Sequence, residues 1–213
     1  MIERSDFFEF KSRFASSTVQ VGAVSLRDPA TVGELDEDRL SMGDYSGIVF
    51  PVVFRHEYGR KWCDVLDTGT PTLMLISERI KGLLEEHGLT GWGTFAVRIL
   101  GKKGSEVFGY HGFSTLGRCG PVDCTQGEVI EKRLVPTGPL VRYRRGLHVG
   151  VDRWDGSDFC LPENYLGTIV TRRAAEVLKA SKLTNVELNN LADMEIAEEN
   201  WIYWGLTPVG DAQ

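Results

Sequence analysis

Six side chains are the first candidates for chemistry or recognition. Trp154, Asp155, Asp158 and Phe159 belong to "WDGSDF", residues 154–159, where two carboxylates flank a Gly-Ser turn between two aromatics. Such a pair could touch a cation, yet a calcium loop needs several more oxygen ligands at set positions. The segment reads instead as an Asx-type turn presented at the surface. Carboxylates beside aromatics suit contact with another protein, so these four are candidate binding residues. Arg79 and Arg173 complete the set, because they recur at matching places in two similar segments and no folding rule demands an arginine there.

No catalytic group is expected. The four histidines, His56, His87, His111 and His148, stand in none of the metalloprotease spacings. His87 falls at the end of an expected helix, where the helix dipole favours a partial positive charge. A G-x-S-x-G nucleophile elbow is absent. "GKKGS" at 101–105 has its lysines before the second glycine, the wrong order for a phosphate loop, and "GWGTFA" precedes a strand rather than a helix. Cys119 and Cys124 form a C-x4-C, but the second close pair of a structural zinc site is missing. No metal and no cofactor are therefore expected, and all four cysteines, with Cys63 and Cys160, read as reduced thiols.

The bulk properties narrow the partners. A net charge of -6 over 213 residues disfavours a nucleic-acid backbone, which needs clustered cations. The one basic cluster, "VRYRRG" at 141–146, is short and reads as a solvated strand or turn. No run of 18 apolar residues occurs, so no membrane helix is expected. The opening "MIERSDFFEFKSRF" is charged and has no apolar signal core, which makes a cytoplasmic location the default expectation.

The elements that must position these residues alternate between strands and short helices. Period-two runs at 17–26, 61–66, 70–76, 94–100, 105–113, 127–135 and 139–151 predict strands. "IVFPVVF" at 48–54 predicts an edge or bulged strand, because Pro51 would remove a ladder donor from a central one. The acidic stretch 28–47 reads as a loop with one helical turn. The end, with Trp201, Tyr203 and Trp204, reads as a short helix and an aromatic strand or packed tail.

Two segments echo each other 94 residues apart. In "ISERIKGLLEEHGLTG" the cap is Ser77, and in "VTRRAAEVLKASKLTN" it is Thr171. Arg79 aligns with Arg173, Leu84 with Leu178, Leu89 with Leu183 and Thr90 with Thr184, and Pro71 and Pro162 precede the two copies. Gly88 supplies a left-handed helix exit. Trp92 and Gly93 read as a two-residue insertion in the first copy. The expected fold is α+β, with mixed or antiparallel sheets and two equivalently placed short helices. It forms one domain over 1–213 with quasi-repeated halves at about 1–100 and 101–213.

The runs "GRCGPVD", "WDGSDFCLPEN" and "TIVTRRAAEVLKASKLTNVELNNLADME" resemble bacterial immunity-type proteins of polymorphic toxin systems, including those with a double C-x-x-C-G motif. "TPTLMLISERIKGLLEEHGLTG" is similar to their upstream element, and the likeness spans about residues 64 to 195. The zinc cysteines of that group are not present here, so zinc does not carry over. The resemblance implies a non-enzymatic protein that binds and neutralises a cognate toxin. The rival expectation is a small-molecule-binding domain or enzyme, with a cleft between the two halves that includes Arg79 or Arg173.

Overall fold

β-Branched and aromatic residues fill short runs between glycine turns, and the chain accordingly folds as a mixed, sheet-rich α+β protein. The computed structural model describes residues 6–13, 15–24, 37–70, 72–133, 135–165 and 167–198. In chain order the elements begin with β1 (Phe7–Ser12), β2 (Gln20–Ala23), α1 (Glu37–Ser41), β3 (Val52–Tyr58), β4 (Val65–Asp67), β5 (Met74–Ser77), α2 (Glu78–Glu86), β6 (Trp92–Phe95), β7 (Val97–Leu100) and β8 (Glu106–Val107). There follow β9 (Tyr110–Thr115), β10 (Gly117–Cys119), β11 (Val122–Asp123), β12 (Glu128–Arg133), β13 (Leu140–Arg145), β14 (His148–Val149), β15 (Phe159–Pro162), β16 (Thr168–Thr171), α3 (Arg172–Ala180), β17 (Val186–Asn190) and β18 (Glu195–Ala197). Expectations for Pro71 and for Trp201, Tyr203 and Trp204 lie outside the described residues.

Eight strands form one sheet in the order β6-β9-β5-β4-β2-β3-β7-β8, and five form another in the order β10-β15-β16-β1-β17. Within these sheets two units make the same pairings. The hairpin β4–β5 sets Val65 against Ile76, and β15–β16 sets Phe159 against Val170, each partner shifted by 94 residues. Ser77 Oγ accepts the Ile80 amide at 3.3 Å and Thr171 Oγ1 accepts the Ala174 amide at 3.4 Å, so both helices start as their caps predict. Both leave through a left-handed residue, Gly88 (φ 56°) and Lys182 (φ 48°).

β1, which precedes the first hairpin–helix unit, and β9, which precedes the second, each insert between strands of the other unit. β1 lies between β16 and β17, while β9 lies between β5 and β6. Beyond them, β2 runs parallel to β4 as β10 runs parallel to β15. The 94-residue offset persists into the closing strands, since Thr94 faces Phe113 as Leu188 faces Phe10. Trp92 and Gly93 are therefore ladder residues in register with Val186 and Glu187, not an insertion.

The crossing strands build one shared core. Phe10, Phe113 and Phe159 meet edge to face, with ring centroids 5.7–5.9 Å apart. Ile80 and Leu84 from α2 and Ala174, Ala175 and Leu178 from α3 close on the same cluster.

Four strand expectations need correction. The run 105–113 is split into β8 on β7 and β9 on β5, and the run 139–151 into β13 on β12 and β14 on β11. The other two concern 48–54 and 94–100. Pro51 precedes β3 instead of interrupting it, so its missing N–H costs no ladder bond, and β3 is interior, between β2 and β7. The run 94–100 is not one strand. It breaks at Ala96, whose carbonyl accepts the Val52 amide at 3.0 Å, and sends β6 to β9 and β7 to β3.

Candidate functional site

The two arginines that the sequence singles out each close a polar knot. Asp158 Oδ2 accepts from the Thr90 amide at 3.0 Å, the Thr90 hydroxyl at 3.3 Å and Arg173 Nη1 at 2.8 Å, and Oδ1 accepts from Thr171 Oγ1 at 3.0 Å. Asp64 does the same 94 positions earlier. It takes the Thr184 amide and hydroxyl at 2.8 Å each, Arg79 Nη1 at 3.2 Å and Ser77 Oγ at 3.0 Å. Each arginine also donates across to the opposite helix end, Arg79 to the Ser181 carbonyl and Arg173 to the His87 carbonyl, both at 2.6 Å. The knots tie the exit of one helix to the hairpin of the other unit. Asp64 was not singled out in the sequence, although the 94-residue offset that pairs the caps also pairs it with Asp158.

Burial pushes the Asp64 carboxyl up, but the Thr184 amide and hydroxyl, the Ser77 hydroxyl and the Arg79 charge outweigh it and hold the group below its ordinary value. Glu9 is treated alike: burial raises it, and bonds from Lys11, Tyr165 and Asn189 bring it below the usual range. A carboxylate depressed in the folded state adds stability above its unfolded pKa, about 4, and loses it as pH falls through the folded value. Stability is thus expected to hold from neutrality to about pH 5 and to fall below it. Urea titrations between pH 7 and pH 3 check this, and Asp64→Asn should flatten the acid slope.

The remaining candidates are mostly committed to structure. Phe159 is fully buried in the central aromatic cluster. Asp155 accepts the Ser157 amide at 2.9 Å and the Arg118 amide at 2.8 Å, the Asx-type turn expected of this segment. Trp154 donates to the Ser157 carbonyl at 2.9 Å and packs edge-on against Phe7. Beside this turn lies an open depression of about 330 Å³ lined by Thr90, Gly91, Leu116, Gly117, Asp155, Gly156 and Ser157. Ser157 Oγ there lies within hydrogen-bond distance of Asp155 Oδ1 and the Phe159 carbonyl, and its one proton goes to one of them. Arg79 and Arg173 do not line it. The basic run 141–146 is β13, where Arg142, Arg144 and Arg145 meet Glu131, Glu195 and Glu198.

A different concavity gathers aromatics and cations from three segments. β3 ends in a turn at Gly59 (φ 82°), which packs so closely on the Thr18 carbonyl that a Cβ would sit 1.9 Å from it. The Gly59 carbonyl accepts from His56 Nε2 at 3.1 Å and from Lys102 Nζ at 3.4 Å. Two adjoining hollows of about 460 and 270 Å³ share Gly59, Arg60 and Lys102. The first is walled by Ser16, Ser17, Glu57 and Tyr58, the second by His56, Trp62, Ser105 and Val107.

Trp62 is 37% exposed and Tyr58 40%, and the Trp62 ring leans on His56 (6.1 Å) and Tyr110 (5.9 Å). Tyr110 donates to the Cys63 carbonyl at 3.0 Å. Burial, with the Asp64 charge nearby, pushes its hydroxyl up to about 12, so it stays neutral and fixes the Trp62 wall. Among the described residues no carboxylate forms an ion pair with Arg60, Lys61, Lys102 or Lys103. Lys103 is held at φ 64°, a conformation that costs a lysine energy. The signal in the sequence was the interleaving of aromatics and cations in "HEYGRKWC" together with "GKKGS".

Compared with known proteins, the chain matches no family model and no curated protein sequence.

Proposed function

We propose that this chain is a non-enzymatic, protein-binding protein whose docking face is the Trp62–Arg60–Lys102 groove. One observation carries the reading: Trp, Tyr and Arg, the residue types that dominate binding energy at interfaces, surround one concavity. The unpaired cations there give an otherwise acidic surface a local site for an acidic segment of a partner. Neutralisation of a cognate toxin, in the manner of the immunity-type proteins the chain resembles, is the specific form of this function. A cytoplasmic location, and no role for nucleic acid or membrane, go with it. The fold is read with it as one domain whose halves, about 1–100 and 101–213, descend from a duplicated unit.

The test is co-expression with the toxin encoded beside this gene. The parent chain should protect cells and co-purify with the toxin. Trp62→Ala is expected to weaken the complex by about 30-fold or more, as loss of a central aromatic anchor does. The Arg60→Glu/Lys102→Glu pair should slow association and reduce its dependence on salt. No protection and no complex with the parent chain would overturn the reading. Unchanged affinity in both variants would move the docking face elsewhere.

A further inference from the structure

The slots that receive β1 and β9 are built from equivalent strands, yet they differ sharply at one facing pair whose inserted residue is buried or glycine. In the first slot Gly112 of β9 lies opposite Phe95 of β6, and in the second Glu9 of β1 lies opposite Asn189 of β17. Gly112 and Glu9 occupy the same place, since they pair with Leu75 and Ile169, 94 residues apart. The two inserted strands also differ at Phe8 against His111 and at Lys11 against Ser114, but they share their length and one core residue. Each has six residues, and each sends a phenylalanine, Phe10 or Phe113, into the shared core from the next position.

The environments at this place are mutually exclusive. A Cβ on Gly112 would sit 2.0 Å from the Phe95 ring. That ring is 5% exposed and wedged against Tyr45 and Phe50, with centroids 6.0 Å away, so it has nowhere to turn. Glu9 is 4% exposed, and its carboxylate accepts from Tyr165, from Asn189 at 3.0 Å and from Lys11 at 2.8 Å. β1 in the first slot would drive a carboxylate into an aromatic wall. β9 in the second would take the Glu9 carboxylate away from the buried Tyr165 hydroxyl and remove one of the two acceptors of the Asn189 amide, the other being Glu187 at 3.0 Å.

We propose that the facing pairs Gly112–Phe95 and Glu9–Asn189 sort the two crossing strands into their slots. The slot between β5 and β6 fits a strand with glycine at this place, and the slot between β16 and β17 fits one with a carboxylate. The rule applies whether the incoming strand belongs to the same chain or to a second copy. Without it, two strands of equal length that share a core phenylalanine would be told apart only at the remaining positions, chiefly Phe8 against His111 and Lys11 against Ser114, and pairing would be less strongly specified.

The test uses the full chain. Exchanging the two inserted residues, Glu9→Gly with Gly112→Glu, should lower the melting temperature by at least about 10 °C or prevent folding. Exchanging the walls as well, by adding Phe95→Asn and Asn189→Phe, should recover part of that loss, by at least about 5 °C relative to the two-residue variant. Recovery is partial because Tyr165 would then face a glycine. The proposal is overturned if the two-residue exchange melts like the parent. It is equally overturned if the four-residue variant is no more stable than the two-residue one, since the costs would then be unrelated to the pairing.

Discussion

Asp158→Ala is expected to unfold about 2–3 kcal/mol more easily than the parent in urea, and Asp64→Ala to lose a similar amount. Each carboxylate is nearly buried, at 8% and 11% side-chain exposure, and each gathers a backbone amide, two hydroxyls and a guanidinium. Removing it breaks four bonds at once, and although the exposed Thr90, Thr184 and arginine donors can turn to water, the half-buried Ser77 and Thr171 hydroxyls are left with poorer partners. The arginines are a control with a different answer. Arg79 and Arg173 are more than half exposed, so Arg79→Ala or Arg173→Ala should cost only about 1 kcal/mol, the scale of a screened pair. An aspartate variant no weaker than its arginine counterpart would show that the knots are surface ion pairs and nothing more.

Phe159→Ala is the second large effect, about 3–5 kcal/mol by equilibrium unfolding. Its ring is fully buried and touches Phe10 and Phe113, which come from strands that cross between the sheets. The cavity would open where both units share one core, with helices on either side to hold it open. Because the ring belongs to no exposed surface, partner binding by the folded fraction should be unchanged. A Phe159→Ala protein that is fully folded yet fails to bind would return this residue to the docking surface.

The local features were legible in the sequence because they are set within a few residues. Ser77, Thr171 and Gly88 do what their types and positions dictate. The 94-residue echo also pointed to matched hairpin–helix units. The crossing of β1 and β9 was not legible, since no residue near Phe7 or Tyr110 says which distant sheet will take it. Arg79 and Arg173 looked free for recognition because their acceptors lie 15 residues before them, outside any helix-spacing rule. Phe159 looked like a surface aromatic because the residues before it, 155–158, are polar or glycine, but β15 is buried on both faces, so alternation gave no clue. The groove draws on residues near 16, 56–62 and 101–107, and only the sheet brings these segments together.

Nuclear magnetic resonance titration of the labelled protein with a short synthetic peptide of glutamates around one phenylalanine tests the docking claim most directly. Shifts are expected at residues 56–62 and 101–107, and they should vanish in the Arg60→Glu/Lys102→Glu variant while the rest of the spectrum stays that of the parent. Shifts centred instead on 141–145 or 154–159, or shifts that survive the charge reversal, would contradict it.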